Sequence, residues 1–101
     1  MNIFNKNFDF KFFASQLQVM LKSGLNLNRS LMIISRQAKN SDEEIIYSGL
    51  LKDIESGLSL AAALKKKEVF TTLFTSVIEA GEESGSLTEV LKSLEEYYSS
   101  R

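Results

Sequence analysis

The chain of 101 residues contains no cysteine, no histidine and no proline. Without cysteine there are no disulfides, no thiolate chemistry and no Cys-based zinc site. Without histidine, imidazole acid–base catalysis is also excluded. An excess of one charge is absent too: 12 Lys+Arg stand against 13 Asp+Glu, a net charge of −1. That balance gives no electrostatic footprint for nucleic acid or for general adhesion to an anionic bilayer. Long apolar runs are missing as well. The longest is Leu60 to Leu64, far short of the roughly 20 residues of a spanning helix. Polar residues at Asn5, Lys6, Asn7, Asp9 and Lys11 interrupt the N-terminal region, which therefore lacks the apolar stretch of a secretory signal. The length suits one domain, which buries roughly two-thirds of its unfolded surface.

With proline absent, the five glycines, Gly24, Gly49, Gly57, Gly81 and Gly85, are read as the punctuation. Between them apolar residues recur with helical spacing. The successive stripes are Phe13-Leu17-Met20-Leu21, Leu27-Leu31-Ile34-Ala38, Ile46-Leu50-Ile54, Leu60-Ala63-Leu64, Phe70-Leu73-Phe74-Val77-Ile78 and Leu87-Val90-Leu91-Leu94-Tyr98. Asn26, Ser59 and Thr71 are suited to cap the second, fourth and fifth helices. Ser41-x-x-Glu44 and Ser86-x-x-Glu89 read as capping boxes. Gly24 and Gly57 stand where a left-handed residue would end the preceding helix. Short loops require neighbouring helices to fold back on one another. The expected fold is all-α, a six-helix bundle of three antiparallel helical hairpins.

An internal repeat supports this reading. Ser23–Leu31 and Ser56–Leu64 share the pattern S-G-L-x-L-x-x-x-L, 33 residues apart, and Ser84–Leu91 is a contracted copy 28 residues later. In each copy a glycine stops one helix, a small polar residue caps the next, and leucines dock that helix into the core. The signatures of tetratricopeptide and ankyrin solenoids, which also have periods near 33 residues, are absent.

Few residues suggest chemistry. Glu79, Glu82 and Glu83 put like charges on one face at a helix C-terminus, against both pair repulsion and the macrodipole. Ca²⁺ is the one cofactor such oxygens suggest, as a weak candidate site; otherwise no cofactor is expected. Lys65, Lys66 and Lys67 form the only basic run, read either as solvated cations at a helix end or as a contact for an acidic partner or a nearby bilayer surface. Neither G-x-G-x-x-G nor G-x-x-x-x-G-K-[ST] occurs, so no phosphate cradle is announced. Phe4, Phe8, Phe10, Phe12 and Phe13 are more aromatic surface than one helix face buries. Together with Tyr97 and Tyr98 they suggest a weak homodimer.

The order of motifs resembles a known family. An aromatic-led first helix precedes Gly24-Leu25-x-Leu27, then Gly57-x-Ser59-Leu60-x-x-x-Leu64, Phe70 and finally Gly81-Glu82-x-Ser84-Gly85-x-Leu87. This is similar to the cytoplasmic domain of the inner-membrane platform proteins of type II secretion and type IV pilus systems. The resemblance implies a non-enzymatic six-helix domain at the cytoplasmic face of the bacterial inner membrane. It would dock the assembly ATPase and couple it to pilins or pseudopilins, alongside other inner-membrane assembly proteins, in secretion, pilus or competence systems. A free-standing helical adaptor is the alternative. The family motif falls on Gly24, Gly57, Gly81, Glu82, Ser84, Gly85 and Leu87 as partner-binding candidates, with Leu27, Leu60, Leu64 and Phe70. The family often has proline where this chain has Asn26 and Thr71, which cap equally well. The implied organisation is a lead-in over residues 1–11, the helical domain over 12–98, and a tail over 99–101 leading to a membrane segment. The start at Met1 implies the first of two copies. Glu82 is expected to fold back onto its own turn or the start of the sixth helix, where free N–H groups attract anions; the alternative is that it faces outward to the ATPase or a cation.

Overall fold

The computed structural model describes residues 8–100, so Phe4 of the aromatic cluster and the last tail residue lie outside the described residues. Six helices follow one another: α1 (Phe10–Lys22), α2 (Leu27–Ser35), α3 (Ser41–Glu55), α4 (Leu60–Lys65), α5 (Thr72–Ser84) and α6 (Leu87–Ser99). There is no strand among the described residues. Each helix packs on the next, and α6 returns to α1 in the most extensive contact of all, closing a ring. The register of α5 against α6 is antiparallel. Phe74, near the start of α5, meets Tyr98, near the end of α6, at 6.1 Å between ring centroids. At the other end, Gly81 approaches Val90.

The predicted stripes point inward. Phe13, Leu17, Leu31, Ile34, Leu50, Leu60, Leu64, Phe74, Ile78 and Leu91 are fully buried. Leu73 departs from its stripe and is exposed. In α3 the buried face keeps Leu50 of the expected stripe but is completed by Glu43, Tyr47 and Asp53. Tyr47 enters the core, while Ile46 and Ile54 pack partly buried at its edge. The Tyr47 hydroxyl is buried without a hydrogen-bond partner. Burial pushes the phenol's pKa up, and the nearby Glu43 and Asp9 charges push it further.

Of the N-terminal aromatic residues, the described ones pack within the chain, Phe8 and Phe13 in the core and Phe10 and Phe12 against it. Phe8 is buried before α1 begins, with ring centroids 5.0 Å from Phe70 and 5.6 Å from Tyr47. Phe10 stacks on Tyr98 at 5.3 Å. Residues 8–11, which the sequence reading placed in a lead-in, thus pack with the helical unit, and α6 carries it on to Ser99.

Gly24 and Gly57 end α1 and α3 in the left-handed region, at φ +102° and +107°. The two turns have the same hydrogen bonds. Leu25 N–H donates to Met20 and Leu58 N–H to Asp53, at 3.1 and 3.0 Å. Asn26 and Ser59 then accept from Arg29 N–H and Ala62 N–H, so each helix start is capped as predicted. The repeat is one device built twice.

Gly49 and Gly81 do not punctuate; both lie inside helices. Their role is close approach. The end of the Lys67 side chain lies over Gly49. A Cβ on Gly81 would stand 2.5 Å from Val90 Cγ2 and 3.3 Å from Leu87 Cα. Valine is stiff at χ1 and the leucine contact is backbone, so neither yields easily. Gly81→Ala is therefore expected to destabilise the domain by about 1–3 kcal/mol through overpacking. A melting temperature at or above that of the parent would contradict this.

Candidate interaction site at the corner of α5 and α6

The corner is built by Gly85, which adopts φ +73° and lets the chain reverse. Ser86 N–H donates to the Gly81 carbonyl at 2.8 Å. Ser84 turns its hydroxyl back to Ala80 O at 2.9 Å and lies 2.6 Å from the Ser86 hydroxyl. The predicted Ser86-x-x-Glu89 box does not form. Only Ser86 separates Gly85 from α6, and at ψ 37° it lacks the extended conformation that aims a cap at its helix. Glu89 Oε1 instead accepts from Thr88 Oγ1 at 3.2 Å. The Ser41-x-x-Glu44 box is also displaced, by one residue. Asn40 is the cap of α3 and accepts from Glu43 N–H at 2.9 Å.

Glu82 does fold back onto helix N–H groups, but those of α4 rather than α6. Its Oε2 accepts from Leu60 N–H at 2.8 Å and its Oε1 from Ala61 N–H at 3.0 Å. Ser59 Oγ takes the third, from Ala62 at 3.1 Å. The orphan donors of this six-residue helix after its cap are thereby satisfied. The motif glutamate on α5 closes the helix that follows the second glycine turn.

Glu43 is the second carboxylate of this kind, and sequence reasoning missed it. It is 2% exposed, accepts from Asp9 N–H at 2.8 Å, and accepts from Lys39 N–H at 3.0 Å. Asp9 in turn caps α1 by accepting from Phe12 N–H at 2.9 Å, and it pairs with Lys39. Burial of Asp9 opposes its ionisation. The Lys39 hydrogen bond, the Phe12 N–H and the charges of Lys39 and Lys11 outweigh it, and the carboxyl is held below its ordinary range. Lys39 is raised by its hydrogen bond to Asp9, against a smaller desolvation, with the Asp9 and Glu43 charges adding to the rise. The pattern Asn40-x-x-Glu43 was the available signal, because Asn also begins such boxes.

The basic run is not a set of free cations. Lys65 pairs with Glu79 at 2.8 Å and Lys66 with Asp53 at 3.0 Å, while Lys67 lies 3.9 Å from the other Asp53 oxygen. The acidic cluster is likewise dispersed: Glu79 turns to Lys65 and Glu82 to α4. Among the described residues no three carboxylates are gathered as metal ligands. What the structure does bring together is Gly81, Glu82, Gly85, Leu87 and Thr88 with Leu21 of α1, around an open groove of about 450 Å³. Ser84 is occupied within its own turn, and Gly24 and Gly57 lie in the two other turns.

Two expectations follow. Glu82→Ala should cost about 2–3 kcal/mol, the scale of hydrogen bonds to a charged acceptor plus a lost cap; unchanged thermal unfolding would refute the latch. Because the Asp9 pKa is lowered on folding, its contribution is present at neutral pH and is lost as pH falls through the lowered value. Asp9→Asn should melt below the parent at neutral pH, with the gap closing in acid. A gap constant down to the acid limb would contradict the pairing.

Residues 13–101 match the family described as type II secretion system (T2SS), protein F. The chain is 36% identical over 86 residues to a type IV pilus assembly protein PilC of Thermus thermophilus, covering 85% of this chain and 21% of that protein. It is 33% identical over 75 residues to the protein transport protein HofC homolog of Escherichia coli, covering 73% and 19%. It is 31% identical over 87 residues to a type II secretion system protein F of Aeromonas hydrophila, covering 85% and 22%. The chain thus spans about a fifth of the length of these curated relatives. The family match, the glycine turns and the G-E-x-S-G-x-L corner agree, and the chain belongs to the type II secretion system protein F family.

Proposed function

We propose that this chain is a non-enzymatic docking domain of an inner-membrane platform protein in a secretion, pilus or competence system. It faces the cytoplasm, binds the assembly ATPase, and passes the motion of that ATPase to pilin or pseudopilin subunits. The family match over residues 13–101 carries this reading, supported by relatives named for type IV pilus assembly, protein transport and type II secretion. The construction of the domain is compatible with passing on force. A closed ring of helices is tied across its turns by Glu82 and Glu43, so displacement of one hairpin is transmitted to the others. No helix among the described residues is long and apolar enough to cross a membrane. A weak homodimer would draw on the exposed apolar side chains Val19, Ile45, Leu73 and Tyr97, since Phe8 and Phe13 are buried in the core.

The test is binding of the purified chain, and of the intact parent protein, to the assembly ATPase of the same system. Saturable binding by both is expected, with no ATP hydrolysis by the chain alone. Failure of both to bind would overturn the proposal.

A further inference from the structure

We propose that Phe8 and Asp9 form a strap that opens and closes on α3, and that the Tyr47 hydroxyl takes the place of the Asp9 N–H on Glu43 when the strap is open. Phe8 and Asp9 precede α1 and lie outside any helix. Glu43 is 2% exposed and uses its two oxygens differently. Its Oε1 accepts from Lys39 N–H at 3.0 Å and so holds the turn between α2 and α3. Its Oε2 accepts from Asp9 N–H at 2.8 Å and holds the strap. One turn further along α3 stands Tyr47, 1% exposed, whose hydroxyl has no hydrogen-bond partner. A buried hydroxyl left unpaired is uncommon and costly, because it has given up water without a replacement. In the closed state the strap occupies an acceptor that this hydroxyl lacks.

Helix geometry favours the exchange. Residues four apart share a face, and a long side chain leans back over the preceding turn, which for Tyr47 is the turn of Glu43. Burial raises the phenol's pKa, and the nearby charges of Glu43 and Asp9 raise it further. Phe8 packs on Tyr47 and Phe70, with ring centroids 5.6 and 5.0 Å away, and these contacts leave with the strap. The Asp9–Lys39 pair is exposed on both sides, so its loss on opening is small. The contacts of Phe13 with Tyr47 and Phe70, at 6.1 and 5.9 Å, do not involve the strap and remain. Opening thus replaces one hydrogen bond to Glu43 by another, and the carboxylate is not abandoned. That exchange lowers the cost of a local opening below what a carboxylate with no second donor would impose. The device is independent of whether the domain docks an ATPase.

Amide hydrogen exchange of the whole chain tests the device, because one carboxylate holds two donors. Protection of the Asp9 N–H should be weaker than that of the Lys39 N–H by about tenfold or more, the mark of a separate local opening. Tyr47→Phe removes only the competing hydroxyl. It should raise Asp9 protection about fivefold, the scale of one hydrogen bond, with a smaller change at Lys39. Equal protection of the two amides in the parent, or Asp9 protection unmoved by Tyr47→Phe, overturns the proposal. A second arm reads the hydroxyl itself. In the parent background Tyr47→Phe should leave the melting temperature unchanged or raise it, since the closed state gives the hydroxyl no partner. Asp9→Pro deletes the N–H that holds the strap. In that background Tyr47→Phe should lower the melting temperature, since the hydroxyl is then bonded to Glu43. A lowering in the parent background, or none in the Asp9→Pro background, overturns the exchange of partners. The amide arm decides the strap without any need for the Asp9→Pro variant to fold.

Discussion

The architecture depends on a carboxylate from one helix closing the start of another. A helix of six residues is far too short to persist alone, and α4 also begins with N–H groups that its own cap cannot all satisfy. Glu82 supplies two acceptors from α5, at 2.8 and 3.0 Å, across 22 and 21 residues of sequence. The burial of Leu60, Ala61, Ala63 and Leu64 then becomes possible without stranded backbone donors. The apparent misplacement of Glu82 near the negative end of α5 is resolved by the positive end of α4. Two helix dipoles act on one side chain, and the second has the hydrogen bonds.

The same solution recurs at the beginning of the fold. Glu43 of α3 accepts the N–H of Asp9, and Asp9 caps α1, so α1 is held by a helix that lies two turns of chain away. Around this point the rings of Phe8, Phe10, Phe13, Tyr47, Phe70, Phe74 and Tyr98 form one cluster linking α1, α3, α5, α6 and the residues before α5. Side-chain capping fixes where helices start. Aromatic packing fixes how they lie together. The closed ring needs both.

What sequence reasoning could reach was local. Gly24 and Gly57 end helices, and Asn26, Ser59 and Thr71 begin them, because each acts on backbone within four residues. The stripes were legible for the same reason. Gly49 and Gly81 were misread as punctuation because a glycine needed for close approach has the same symbol as one needed for a positive φ. The partner of Glu82 was assigned to the nearest helix start, whereas packing brings a more distant one to it. Glu43 and Tyr47 escaped notice because a buried carboxylate and a buried phenol break the apolar pattern that periodicity relies on. At the candidate site the corner itself was legible in G-E-x-S-G-x-L, but the groove was not, since Leu21 joins it only through the packing of α1 on α6.

The central claim is that the Glu82 carboxylate holds the first turn of α4, and amide hydrogen exchange tests it most directly. First-turn N–H groups of a helix ordinarily have no intrahelical acceptor and exchange readily. The account predicts that the Leu60 and Ala61 amides exchange as slowly as core amides such as Leu64, and that Glu82→Gln accelerates both selectively. Rapid exchange at Leu60 and Ala61 in the parent chain, with Leu64 protected, would contradict it.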